Sequence, residues 1–460
     1  LIKLKQFEIV NFNMSGKITT FFRIQFFLLL YSSMALGQDY IIPPNSSPWP
    51  GINLGVVPGQ DFVLSYAMDA NLGLLTLSIK DGEFNNRHFE QYSIGRGFNT
   101  VHHEVEGDIV YLLITNSSTF KFLTKINTQN GEVEFFPFSV SLGTIDRFKI
   151  IGNSILVVKS LQKGDFVQLY DYRTGMLISL AELFYPKTRI WDVQVKDGIF
   201  DILVHKKGDF RNQSLKMIGF NAAGTKLYET DILPPGTKKL IFKSAKLIPS
   251  GDTGYRIAGT YAKKQGEQFS GYYHISINDS LEQKAEIHPM RTLEGFFEYK
   301  KNPGLRKNAK NLRRDMQVYQ TYASRDYVAL ASSSYKVSRK FVHFVVLDKN
   351  GSHIYDTSVK VFYDFGGAFN NSTLAMKDKD LYFLFEGNPK INVLPGYKLY
   401  QIEDGQLTGL LKAQDYLQVK PNDSEWVEIK YYHWKDNKFI VSGIETINGQ
   451  SKHVIRKIEV

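Results

Sequence analysis

Trp191 and Asp192 stand side by side in the stretch Arg-Ile-Trp-Asp-Val. An aromatic face next to a carboxylate is a pairing that holds a sugar ring or a cation. Polar and aromatic residues of the same kind occupy short segments elsewhere: His102, Arg147, Tyr319, Gln320, Glu428 and Tyr431. Together these are the ligand-binding candidates, on the expectation that their segments line one central channel. The plainer reading is that they are channel-lining polar groups satisfied by water and by one another.

A second group is purely electrostatic. Lys300, Lys301, Arg306, Lys307, Lys310, Arg313 and Arg314 form a run with no acidic residue. Leu305, Ala309, Leu312 and Met316 would share one helical face beneath them, so the run could dock on anionic lipid, an acidic glycan or an acidic protein. A thin apolar stripe of this sort also suits a solvated insertion. The whole chain carries a net charge of +10, of which residues 1–37 hold +3 and residues 300–314 hold +7. The remainder is balanced, so the high pI is local and no nucleic-acid surface is expected.

Other chemistries lack their signatures. The ten histidines are scattered, and adjacent His102 and His103 point to opposite faces of a regular strand, so they cannot share a metal ion. The chain has no cysteine, which excludes disulfides and thiolate ligands. Neither a Gly-x-Ser-x-Gly elbow nor a Gly-x-x-x-x-Gly-Lys-Ser/Thr loop occurs. No metal, cofactor or catalytic residue is therefore assigned.

The elements that must position these residues are short, β-branched and aromatic runs, which suit strands. Ser154–Leu180 reads as strand, loop, strand, tight turn at Arg173-Thr174-Gly175, and strand. Comparable turns fall at Lys80-Asp81-Gly82, Gln129-Asn130-Gly131, Ala222-Ala223-Gly224, Lys349-Asn350-Gly351 and Glu403-Asp404-Gly405, with Asn278-Asp279-Ser280 as a degenerate copy. Asn, Asp and Gly supply the positive φ of such turns. A strand pair precedes each turn, and a further segment precedes each pair: Ile52–Val57, Thr100–Val105, Ile145–Ile151, Ile190–Val195, Leu240–Leu247, Gln317–Ala323, Thr373–Met376 and Val427–Trp434. Four strands per unit, repeated eight times, predicts an all-β, single closed β-propeller of antiparallel blades, with seven blades as the alternative count. The last unit lacks an outermost strand. Asp39–Ile42 is expected to supply it and so close the ring.

Leu169-Tyr-Asp-Tyr-Arg-Thr-Gly-Met-Leu-Ile178 and Lys125–Phe135 resemble the strand–turn–strand of quinoprotein-like and WD40-like bacterial propeller blades. The likeness extends over most of 38–460 but only at this turn. The Trp that closes quinoprotein blades is missing after Gly175, and so is the Trp-Asp ending of WD40 blades, so no quinone is implied.

Residues 1–13 read as upstream read-through and 14–37 as a signal peptide: a basic start, an apolar run Ile24–Leu36, and small residues Ala35 and Gly37 before Gln38. The run is short of the ~20 residues a spanning helix needs. An exported protein is expected, periplasmic, cell-surface or secreted, with no transmembrane helix after cleavage. Its expected role is to bind or scaffold a protein or glycan through loops at one face. The alternative is a polysaccharide-acting hydrolase or lyase with its site at the channel mouth.

Overall fold

In the computed structural model the repeats become eight four-stranded antiparallel sheets. The structure describes residues 40–41, 52–116, 120–139, 145–161, 164–178, 180, 187–206, 214–234, 240–249, 254–263, 269–296, 316–334, 341–360, 372–386, 397–412, 425–435, 437–447 and 450–459. The first strand, β1 (Tyr40–Ile41), stands apart from its sequence neighbours and belongs to the last sheet. Blade 1 is β2 (Ile52–Pro58), β3 (Phe62–Asp69), β4 (Leu74–Asp81) and β5 (Asn86–Ser93); blade 2 is β6 (Phe98–Glu106), β7 (Ile109–Asn116), β8 (Phe120–Asn127) and β9 (Val133–Ser139). Blade 3 holds β10 (Ile145–Ile151), β11 (Ser154–Leu161), β12 (Gly164–Asp171) and β13 (Leu177–Ile178). Blade 4 holds β14 (Thr188–Lys196), β15 (Ile199–Lys206), β16 (Ser214–Asn221) and β17 (Lys226–Ile232). Blade 5 follows with β18 (Ile241–Pro249), β19 (Tyr255–Ala262), β20 (Gly271–Ile277) and β21 (Gln283–Pro289). Blade 6 comprises β22 (Met316–Ala323), β23 (Tyr327–Ser334), β24 (Phe341–Asp348) and β25 (His353–Lys360). Blade 7 comprises β26 (Thr373–Lys377), β27 (Asp380–Glu386), β28 (Tyr397–Glu403) and β29 (Gln406–Lys412). Blade 8 ends the chain with β30 (Glu425–Lys435), β31 (Lys438–Ile447) and β32 (Gln450–Glu459).

The innermost strands meet one another in the cyclic order β2, β6, β10, β14, β18, β22, β26, β30 and back to β2. The fold is therefore a closed eight-bladed β-propeller. Tyr40 pairs with His453 and Ile41 with Lys452, so β1 is the outer strand of blade 8, as expected from its sequence.

Each blade is too thin to bury its own faces, and the apolar core is divided accordingly. Eight clusters fill the eight blade boundaries, from Leu77, Leu112 and Phe122 between blades 1 and 2 to Val56, Val63, Trp434 and Ile440 between blades 8 and 1. A second strand such as β3 is buried along its whole length because a neighbouring blade covers each face. Outer strands such as β5 and β17 are mostly polar and half-buried to exposed.

The turns joining third to fourth strands share a device. A side-chain oxygen of Asp81, Asn127, Asp171, Asn221, Asn278 or Asp348 accepts backbone N–H groups two to four residues on. Gly131, Gly175, Gly224, Gly351 and Gly405 then take positive φ. In blade 1 the expectation for Gly82 fails: Phe84, at φ 68, carries the left-handed position, and in blade 5 Leu281 does so at φ 62. The Asx side chain holds these two turns without glycine. Residues 14–37, read as a signal peptide from the sequence, and the basic run 300–314 lie outside the described residues.

Candidate functional site

The innermost strands do not run regularly. In β6, β10, β14, β18 and β22 one residue near the strand start is bulged out of register with the second strand, and β30 skips two. The bulged positions are Asn99, Asp146, Trp191, Lys243 and Tyr319, with Glu428 and Ile429 in β30. A buried apolar residue precedes each of the first five: Phe98, Ile145, Ile190, Phe242 and Val318. That anchor packs into the blade boundary, and at two of the bulges the extra residue packs there as well, Trp191 against the core between blades 4 and 5 and Tyr319 against that between blades 6 and 7. The shift recurs near the start of six of the eight innermost strands, whereas β2 and β26 pair with their second strands without one.

The residues just after the bulges reach across to the next blade. On β10, an Arg147 guanidinium N–H donates to the Trp191 carbonyl at 3.1 Å, and the same nitrogen lies 3.4 Å from Oδ1 of Asp192. Asp192, on β14, accepts the Leu247 N–H through Oδ2 at 2.9 Å and faces Lys246 through Oδ1 at 3.7 Å, both on β18. Ser244 on β18 accepts the Val318 N–H of β22 at 3.3 Å. Gln320 donates to the Ser372 carbonyl at 2.6 Å, Thr373 to the Tyr431 carbonyl at 2.9 Å, and Lys430 to the Leu54 carbonyl at 2.8 Å. Lys149 and Glu104, 2.5 Å apart, join β10 to β6. Burial raises the Glu104 carboxyl pKa above its ordinary value, with Lys149 opposing.

The sequence candidates thus fall into two groups. Arg147, Asp192 and Gln320 are latches between blades, and both Asp192 oxygens face partners on neighbouring strands. Trp191 and Tyr319 are bulge residues, half-buried rather than enclosed. The Trp191 ring is stacked on His205, at 4.2 Å between centroids and 7° between planes, which fixes its orientation. His102 faces Asp146 across the first of these boundaries; burial holds its pKa below the ordinary histidine value while the Asp146 charge pulls the other way. Burial, His102 and Lys149 push His103 down to about 4, so both histidines are neutral at pH 7. Tyr431 is buried, and Glu428 is placed by its backbone on the β30 bulge. Sequence reading passed over Asp146, Lys243 and Asn99. The signal was present as an apolar–bulge–polar triplet near the start of five inner strands: Phe98-Asn99-Thr100, Ile145-Asp146-Arg147, Ile190-Trp191-Asp192, Phe242-Lys243-Ser244 and Val318-Tyr319-Gln320.

This arrangement can bind but shows no built metal centre: among the described residues no group of three or more His, Asp or Glu is placed to hold an ion. Among the same residues no helix is long and apolar enough to cross a membrane. Fold and site together define the class as a closed eight-bladed propeller with a ring of bulges on its inner strands. No family model matches the chain, and no curated protein matches its sequence. Solved structures similar to it include the dihydro-heme d1 dehydrogenase NirN in complex with DHE, at 13% identity and TM-score 0.45 over 88% of this chain and 74% of that one. The polysaccharide lyase Uly1 is similar at 10% identity and TM-score 0.45, over 78% of this chain and 89% of that one. The β-propeller domain of the Trilobed protease from Pyrococcus furiosus is similar at 10% identity and TM-score 0.40, over 80% and 99%. At these values none of the three bears on what the chain does.

Proposed function

We propose that this protein is an exported binding or scaffold propeller that holds a protein or glycan partner at the face where its inner strands begin. One observation carries the reading: the recurrent bulge that sets Asp146, Trp191, Lys243 and Tyr319 at corresponding backbone positions of successive inner strands, on a ring braced by inter-blade latches. Such a ring is pre-organised, so little side-chain freedom is lost when a partner docks. Half-buried aromatic rings among charged groups suit sugar faces and protein hot spots alike. The signal-like segment 14–37 supports export, and the basic run 300–314 offers a further contact to an anionic surface.

The test is capture of partners from the cell envelope, with a glycan array beside it, using the mature chain and a Trp191→Ala/Tyr319→Ala double variant. Binding is expected to fall at least tenfold in the variant, the tenfold corresponding to about 1.4 kcal/mol, at a temperature where the melting curve shows the variant still folded. Undiminished capture by the double variant overturns the assignment of the face. Release of new sugar ends from a polysaccharide would instead place the protein among enzymes.

A further inference from the structure

Asp201, on β15, is fully buried at 0% exposure between blades 4 and 5. Its Oδ1 accepts a hydrogen bond from the Tyr228 hydroxyl of β17, whereas Oδ2 meets no hydrogen-bond donor among the described residues. Tyr255, which opens β19 in the next blade, turns its hydroxyl toward both Asp201 and Tyr228, and the two tyrosine rings lie 6.4 Å apart. Two charged groups also face the cluster: Lys196, ending β14, and Asp197 in the turn after it. Lys196 donates to the Gly254 carbonyl at 2.6 Å, with its ammonium 4.9 Å from the Tyr255 ring centroid. Exposed Val195 and Leu227 sit next to Lys196 and Tyr228 along the chain.

We propose that Asp201 is a protonation site built into the boundary between blades 4 and 5. With a proton on Oδ2, the carboxyl, Tyr228 and Tyr255 seal the boundary as one neutral relay; without it, an ionised group is trapped in the core and the seam beside Val195 and Leu227 loosens.

Burial drives the Asp201 carboxyl up to about 6 from its ordinary 3.8, against the two tyrosine donors and Lys196, with Asp197 adding to the rise. The folded state therefore holds this proton more tightly than the unfolded chain does. Its stabilising effect is complete below about pH 4 and is lost as the pH rises through about 6. Two pKa units correspond to roughly a hundredfold change in the folding equilibrium. A neutral amide of the same shape should escape that loss.

The experiment compares the mature protein with Asp201→Asn from about pH 4 to about pH 8, a range bracketing both the ordinary and the raised carboxyl values. The variant is expected to match the wild type near the acid end and to become roughly a hundredfold more stable toward the neutral end. In the wild type, exchange of β16 and β19 amides, corrected for intrinsic rate, should quicken above the titration midpoint, and in the variant it should not. Infrared spectra near pH 5, between the two carboxyl values, should show protonated carboxyl intensity that falls in Asp201→Asn, above the remainder left by Glu104 and the other carboxyls. Should the amide variant fail to fold, Tyr255→Phe serves: removing a donor to the carboxylate must move the midpoint upward. Parallel stability profiles, carboxyl intensity unchanged in Asp201→Asn, or an unmoved midpoint in Tyr255→Phe would each overturn the proposal.

Discussion

Asp192 accepts the backbone N–H of Leu247 at 2.9 Å across a blade boundary while its other oxygen faces Arg147 and Lys246. One carboxylate thus ties three consecutive inner strands. Asp192→Ala would strip two cations of their shared counter-charge and leave a buried N–H without an acceptor. Both cations are about one-third exposed, so water recovers part of their loss. The expected cost is about 2–4 kcal/mol, read as a lower denaturant midpoint at unchanged slope. Asp192→Asn, which keeps an acceptor for Leu247, should lose about half as much.

At the ring closure, β1 contributes only Tyr40 and Ile41, opposite His453 and Lys452. Removing the chain through Ile41 would bare the outer edge of β32. A loss of about 1–3 kcal/mol is expected, together with concentration-dependent self-association through the exposed edge. Thermal unfolding measures the first and light scattering the second; a monodisperse truncated chain of unchanged stability would count against any role for β1.

Two turn glycines that look alike in the sequence should respond differently. Gly351 has φ +89, and a Cβ there would lie 2.3 Å from Nδ1 of the buried His274. Gly351→Ala is expected to cost about 2–4 kcal/mol, combining backbone strain with a clash in the core. Around a Cβ on Gly82 no atom of the described residues comes within 4 Å, and Gly82 has no positive φ. Gly82→Ala should stay within about 0.5 kcal/mol of wild type or slightly stabilise it. Equilibrium denaturation of the pair decides the matter.

Acid should weaken the ring through histidines that folding keeps neutral. Burial, with Arg256 and His288 adding and Asp348 opposing, holds His274 down to about 4. Burial and the Lys430 charge hold His453 down to about 3, beside the Ser442 hydroxyl at 2.7 Å. Both folded values lie below the ordinary 6.5, so the stability is present above about pH 6.5 and drains away as the pH falls through about 4. Each group accounts for roughly 3 kcal/mol or more of that loss. His274→Gln and His453→Gln should each flatten the fall, and the sign is opposite to that of Asp201.

Asp356 offers a prediction confined to one segment. It accepts from the Phe296 N–H at 2.9 Å, lies 3.0 Å from the His343 imidazole and 3.3 Å from that of His353. Burial alone would raise its pKa, but the His343 and His353 hydrogen bonds outweigh it and hold the carboxyl well below the usual range. Asp356→Ala should cost about 3–5 kcal/mol and speed amide exchange at Leu293–Phe296 first.

The strands were legible because their runs are apolar and β-branched and their turns carry Asx and Gly. Ile145–Ile151 and the N-terminal closing strand fall where the sequence reading puts them. The bulges were not legible: one added residue shifts the alternation that marks a strand, and Trp191-Asp192 reads as an aromatic–carboxylate pair until Trp191 is seen on His205. Asp201, in Phe-Asp-Ile-Leu, has the look of a solvent-facing strand residue and is instead buried under two tyrosines from different blades. Histidines 274, 288, 343 and 353 seemed scattered, yet the contact of blades 5 and 6 gathers them around Gly351 and Asp356. Such groupings depend on neighbours distant in the chain, which periodicity does not encode.

The pairing of Tyr40 with His453 also sets an order of events. Local hairpins within each blade can form as soon as their own residues are available, but the final sheet waits on a meeting between the earliest and latest strands. Loop-closure entropy grows only slowly with span, so the delay comes less from the search than from needing every intervening wedge in place first. Until then the chain is an open arc with an unsatisfied edge at either end, and it is in this interval that a chaperone would find most to hold.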